Sequence, residues 1–172
     1  MSGRQIPVIS LVGKSGVGKT TALERVIREV KRRGYRLGTV KHDSHGFDVD
    51  KPGKDSWRHA QAGSDSVVIS GPRKMALIRQ VPEEMPLDEI LPLMGDLDLI
   101  ITEGYKRGDR PKIEVSRKER GTELLCQAEE LIAIMTDHPV EMPVPQFALD
   151  DARGVVDLLE RLYLRPAQEA EA

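Results

Sequence analysis

The stretch VGKSGVGKTTALERVIREV, Val12 to Val30, constrains the fold of this chain more tightly than any other segment. Gly13, Gly18, Lys19 and Thr20 satisfy the pattern G-x-x-x-x-G-K-[ST]. A loop of this kind needs a buried strand leading in and a helix leading out, and both are legible. Val8 to Val12 is a short apolar run fit for a buried parallel strand, entered from Pro7. Leu23, Val26, Ile27 and Val30 recur at helical spacing, with Glu24 and Arg28 paired on the other face. Lys31, Arg32 and Arg33 suit the negative end of the helix dipole, and Gly34 suits its C-terminal cap.

The chemistry of the loop follows from its residue types. Glycines let backbone N–H groups turn inward and approach phosphate oxygens closely. The helix N-terminus adds a positive dipole end. Lys19 is expected to reach the β- and γ-phosphates, and the Thr20 hydroxyl to ligate Mg²⁺. The loop predicts that a nucleoside triphosphate is held, without choosing among a kinase, an ATPase, a GTPase and a binding module.

Further along, strands and helices alternate. YRLGTVKH predicts a second strand, and Asp43 to Ser56 a long polar loop of a kind that is often functional. KDSWRHAQAG predicts a short helix capped by Asp55 or Ser56 and ended by Gly63. SVVIS and MALIRQV flank the turn GPRK as a hairpin near residues 66–80. PLDEILPLM predicts a short helix whose end Pro92 disturbs. LDLIIT, KIEV and LIAIM predict strands. A last helix is expected from about Asp151 to Leu164, with Val155, Leu158, Leu159 and Leu162 on one face. Residues 165–172 read as a frayed tail. Lys106 to Glu130 is charged and irregular, a flap or a contact surface. The whole predicts an α/β P-loop NTPase fold, a mostly parallel sheet flanked by helices, in one domain spanning residues 1–172.

Composition narrows the partners. A net charge of -2 gives no general attraction to nucleic acid. No run approaches the roughly 20 apolar residues of a membrane helix. MSGRQIPVISLVG reads as a buried strand rather than a signal peptide. The one cysteine, Cys126, rules out an intrachain disulfide, points to a reducing compartment and reads as a structural thiol. A cytoplasmic protein is expected.

Several acids are candidates for the chemistry. Glu103 follows a buried strand, where an acid in P-loop proteins often serves Mg²⁺; the plain alternative is a strand-end acid. Asp98, at the far end of that strand, is a poorer candidate. Asp55 either orients the attacking water or a Mg²⁺-bound water, or simply opens its helix, with Arg58 one turn on. Lys19, Asp55 and Glu103 form the candidate catalytic set. Asp137, ending LIAIMTD, either accepts from guanine N1–H and N2–H₂ or is a turn acid before Pro139. His42 and His45, with Asp43, Asp48 and Asp50, match no closed zinc pattern and read as a ligand-contacting loop. Lys41 and Lys51 suit a second anionic ligand.

GKSGVGKTT, TVKHDSHGFDVDKPGKDSWRHAQAGS and LDLIITEGYK together resemble the MobB family, GTP-binding proteins of molybdopterin guanine dinucleotide biosynthesis. The middle block is the specific part. The resemblance spans most of Val8 to Leu164. It implies a P-loop GTPase fold, a homodimer, weak GTP hydrolysis, and a helper role beside the nucleotidyltransferase MobA, which joins GMP to the molybdenum-bound pterin. It implies that Gly13, Lys14, Ser15, Gly16, Val17, Gly18, Lys19, Thr20 and Thr21 bind GTP, and that Thr20, with Glu103 or Asp55, serves Mg²⁺. The block from His42 to Ser56 would face the nucleotide or the pterin. Lys14 occupies the place of the extra lysine of dimerising ATPases, which contacts nucleotide across the dimer. Competing readings are a non-hydrolytic adaptor holding nucleotide and cofactor, a small-molecule kinase using basic residues of Tyr105 to Lys112, and a GTP-dependent metallochaperone.

Overall fold

The computed structural model describes residues 5–164; the expected tail at 165–172 lies outside them. The chain divides into two compact units, one running up to His42 and resuming at Asp96, the other formed by Asp43–Gly95.

The first unit is built on a six-stranded sheet. Its strands are β1 (Val8–Val12), β2 (Leu37–Lys41), β5 (Leu99–Glu103), β6 (Lys112–Ser116), β7 (Leu131–Thr136) and β8 (Gln146–Ala148). They lie in the order β2-β5-β1-β6-β7-β8. Every neighbouring pair is parallel. All five β1 residues are buried, as expected of a central strand covered on both faces. Helices α1 (Lys19–Arg32) and α4 (Ala152–Leu159) flank the sheet. Leu23, Val26 and Val30 of α1, with Val155 and Leu159 of α4, share a core with Ile9, Leu11, Ile101 and Met135. On the opposite face Val12 and Ile134 pack with Cys126, lined by Leu124, Val140 and Met142.

Chain direction sets where a ligand can sit. From β1 the chain crosses towards the β2 edge; from β6 it proceeds to β7, on the other side. The loops leaving β1 and β6 therefore flank a topological switch point at the carboxyl ends of the strands, where open parallel sheets bind ligands.

A charged cluster joins α1 to α4. The Arg33 guanidinium donates to Glu29 (2.8 Å), Asp157 (2.6 Å) and Glu160 (2.8 Å). Arg32 makes two further bonds to Glu29, at 2.8 and 2.7 Å. The guanidinium groups of Arg32 and then Arg33 hold the Glu29 carboxyl down at about 2. A depressed carboxyl stabilises the fold above its ordinary pKa of 4.5, and the contribution is lost as pH falls towards about 2. The melting temperature is therefore expected to drop across that window. In Glu29→Gln, thermal melts followed by circular dichroism should show a shallower drop.

Three expectations are corrected. The last α-helix ends at Leu159 and continues as a π-helical turn, Glu160–Leu164. Wider winding shifts the side-chain phase, so Leu162 is exposed and Leu164 is buried. Glu160 is tied here by Arg33 and by the Tyr35 hydroxyl (3.0 Å). Strand β8 was not expected; three residues are too few to show a period. The cap of α2 (Asp55–Gln61) is Lys54, with no side-chain cap bond. The Ser56 hydroxyl instead donates to Asp50 (2.9 Å), and Asp55 lies in the first turn, where a carboxylate complements the dipole.

The second unit contains α2, the antiparallel hairpin β3 (Ser66–Gly71) and β4 (Lys74–Arg79), and α3 (Leu87–Ile90). After α3, at Pro92, the winding tightens to a 3-10 turn over Leu91–Met94. The hairpin register pairs Val68 with Leu77 and Ser70 with Met75. The apolar side chains on that face are 57% (Val68), 45% (Leu77) and 67% (Met75) exposed.

Candidate functional site

The glycine loop crosses from β1 to α1 in a path few residues can follow. Gly13 has φ of 147°, and a Cβ there would collide with the Val115 carbonyl of β6. Gly18, at φ 91°, is the left-handed residue that turns the chain into α1. The Lys19 ammonium donates to the carbonyls of Gly13 (3.0 Å) and Lys14 (2.9 Å). It thus lies across the loop mouth. Burial lowers its pKa, against the opposing pull of Glu103.

The parallel register brings Glu103 to the same level. Leu11 pairs with Glu103, so β5 presents its terminal acid beside the start of the loop. The Thr20 hydroxyl donates to Glu103 Oε1 at 2.7 Å. Lys19, Thr20 and Glu103 are therefore gathered in one place, as their positions in the sequence predict. A hydroxyl and a carboxylate meeting here are the hard oxygen donors that Mg²⁺ prefers. After Glu103, Gly104 has φ of 102° and Tyr105, a non-glycine residue, has φ of 49°. The Tyr105 ring lies 4.9 Å from that of His42.

Asp137 is tied to the turn that follows β6, and Asp55 belongs to the other unit. Asp137, after β7, accepts the Lys118 backbone N–H at 2.8 Å, and that bond holds its carboxyl below the usual range. Asp55 belongs to the second unit and is exposed. Asp98 binds the Arg36 guanidinium (2.9 Å) and backbone N–H (2.7 Å) at the start of β5. Among the described residues no group of three or more His, Cys, Asp or Glu is placed to hold a metal ion.

Sequence reasoning missed Arg117 and Arg120. They lie just after β6, in the run Lys106 to Glu130. Arg117 Nε donates to the Val17 carbonyl at 3.3 Å. The Arg120 guanidinium covers Gly16, 3.1 Å from where a Cβ would stand. A count of basic residues flags this run, but only tertiary structure directs them to the loop.

Cys126 is 4% exposed, and its thiol is pushed up to about 12 by burial and by Glu114. Thiolate formation near neutral pH is thereby suppressed. In the native chain Cys126 should resist a disulfide reagent at pH 8 and react promptly in denaturant; rapid native labelling would contradict this burial.

The parallel sheet and the strand–glycine loop–helix at its switch point define an α/β protein of the P-loop NTPase fold. Residues 8–137 match the family model described as MobB: Molybdopterin guanine dinucleotide synthesis protein B. The chain belongs to the MobB family. The molybdopterin-guanine dinucleotide biosynthesis adapter protein of Escherichia coli (strain K12) is 36% identical over 166 residues, 92% of this chain and 95% of that one. The protein of the same name from Haemophilus influenzae is 34% identical over 158 residues, 91% and 89% of the two chains. A crystal structure of molybdopterin-guanine biosynthesis protein B aligns with a TM-score of 0.73 and 31% identity, covering 90% of this chain and 99% of that one. In the described residues no helix is long and apolar enough to cross a membrane.

Proposed function

We propose that this chain binds Mg²⁺·GTP in its glycine loop and acts as an adapter in molybdopterin guanine dinucleotide biosynthesis. It would work in the cytoplasm beside a MobA-type nucleotidyltransferase and hydrolyse GTP slowly. The observation that carries the nucleotide reading is the meeting of Thr20 and Glu103 beside the Lys19 ammonium. The adapter role is supported by the family and by the names of its relatives.

In this reading Lys19 exchanges its two loop carbonyls for phosphate oxygens. Thr20 and Glu103 hold Mg²⁺, with Asp55 a further candidate. When bound, the ion supplies charge neutralisation on the phosphates. The backbone N–H groups of the loop orient the phosphates. Asp137 remains a candidate for the base, and the block from His42 to Ser56 for nucleotide or pterin.

Equilibrium titration with GTP and ATP in Mg²⁺ buffer tests the reading. A clear GTP preference supports it; an ATP preference returns the kinase alternative. Single-turnover hydrolysis by Glu103→Ala and Asp55→Ala then separates a slow GTPase from a holding module. If neither change alters the rate, neither residue takes part in catalysis.

A homodimer is part of the same proposal. The apolar side chains of Val68, Leu77 and Met75 exposed on one face of the β3–β4 hairpin support it, since a second copy would bury them. Met75→Glu should shift the protein to monomer in sedimentation velocity; an unchanged distribution would remove this face from the interface.

A further inference from the structure

The turn leaving β6 is docked onto the glycine loop by reciprocal contacts. Arg120 covers Gly16, and in return the Lys14 ammonium lies 3.1 Å from where a Cβ of Gly121 would stand. Gly16 has φ of 75° and Gly121 of 93°. Gly16 occupies a free position of the loop pattern. Its missing side chain leaves the space that the guanidinium uses. Arg117 adds its bond to the Val17 carbonyl, and its Nη2 lies 3.4 Å from where a Gly18 Cβ would stand.

The turn itself is fixed from behind. Lys118–Arg120 is one 3-10 turn, and the Arg120 N–H donates to the Arg117 carbonyl at 2.9 Å. Asp137 Oδ1 accepts the Lys118 N–H. Arg117 has a long contact to Glu119, 4.0 Å. Among the described residues neither Arg120 nor Lys14 is ion-paired. Two cations thus lie where the turn meets the loop segment Lys14–Gly16, the Arg120 guanidinium beside Gly16 and the Lys14 ammonium beside Gly121. The Lys19 ammonium lies against the Lys14 carbonyl of the same segment. Lys19 is the residue that meets the β- and γ-phosphates. On the nucleotide reading, the segment beside Lys19 is the one the outer phosphates would meet, and the Arg120 guanidinium borders it at Gly16.

We infer that the Arg117–Gly121 turn is a phosphate reader built into the same chain: Arg120, assisted by Lys14, contacts the terminal phosphate of a loop-bound nucleoside triphosphate, with Asp137 as the positioning residue. The inference rests on the nucleotide reading above and deepens it. Arg117 serves as the anchor, because its Nε is spent on the loop backbone. A guanidinium suits this task, being permanently charged and able to donate two parallel bonds to phosphate. A diphosphate lacks the group that Arg120 would meet, so the device separates GTP from GDP.

Isothermal titration of the full chain with GTPγS, GDP and ATPγS, all with Mg²⁺, tests this. Wild type is expected to prefer GTPγS over GDP. Arg120→Ala should lose about tenfold in GTPγS affinity, as for a lost bond to a charged group, and stay within about twofold for GDP. Arg120→Lys should recover part of the loss. Asp137→Ala should reduce the GTPγS-to-GDP ratio in the same direction, and Asp137→Asn, which keeps an acceptor for the Lys118 N–H, should restore it. Equal losses for GDP and GTPγS in Arg120→Ala, or no loss, would overturn the inference while leaving the nucleotide reading in place. Collapse of the guanine-over-adenine preference in Asp137→Ala, with the phosphate preference kept, would make Asp137 a base reader and overturn its positioning role. A wild type that binds none of the three would remove the nucleotide reading and this inference together.

Discussion

Lys19→Ala should weaken binding of Mg²⁺·GTP by about a hundredfold or more, with the fold intact. Hydrogen bonds from a charged donor contribute about 1.5–3 kcal/mol each, and Lys19 is expected to meet both β- and γ-phosphates. Two such bonds correspond to about two to four decades in affinity. The residue is half-buried, and among the described residues its ammonium donates to two loop carbonyls that water can replace. The circular dichroism spectrum and melting temperature should therefore change little. Lys19→Arg is not a neutral control, because a planar guanidinium does not fit where a compact ammonium lies across the loop. Titration calorimetry reads the loss; retained micromolar binding in Lys19→Ala would show that phosphate is held elsewhere.

Glu114→Ala should produce the largest loss of stability, about 3 kcal/mol or more. Glu114 lies in β6 and is 2% exposed. Its two carboxylate oxygens accept the backbone N–H groups of Leu125 (2.8 Å) and Cys126 (3.0 Å). Alanine would orphan both donors, at about 1–3 kcal/mol for each buried one, and leave a cavity as well. Glu114→Gln should recover only part, since the amide presents one acceptor and one donor to two donors. Urea unfolding checks the order wild type, Gln, Ala. Because this bond docks the segment that follows the Arg117–Gly121 turn, Glu114→Ala should also speed labelling of Cys126. An unchanged midpoint would mean that water satisfies both N–H groups.

Much of the fold was legible because its signals are local. The glycine spacing, the apolar run before it and the 3.6-residue period after it each lie within a few residues. Glu103 was legible for a related reason: an acid ending a buried strand in a parallel sheet must emerge on the ligand side. Asp98 opens the same strand at its other end, and the structure ties it to Arg36. The misses have physical causes. The phase of α4 beyond Leu159 depends on how Glu160 is held by Arg33 and Tyr35, more than 100 residues away in sequence. The cap of α2 was misread because Asp50 takes the Ser56 hydroxyl.

The amino-acid order alone determined that a strand, a phosphate-type loop and a helix follow one another, and that strands and helices alternate thereafter. Those features depend on backbone conformation and on side-chain periodicity, which neighbours in sequence control. Only the tertiary structure decided what stands over the loop. β1 and β6 are adjacent in the sheet, and Arg117 reaches the Val17 carbonyl across 100 positions of sequence. Asp137 enters the same arrangement because β7 pairs beside β6 and ends at the same level, Ser116 facing Thr136. Parallel pairing aligns the carboxyl ends of distant strands, and no local pattern in Arg117, Arg120 or Asp137 records which strands become neighbours.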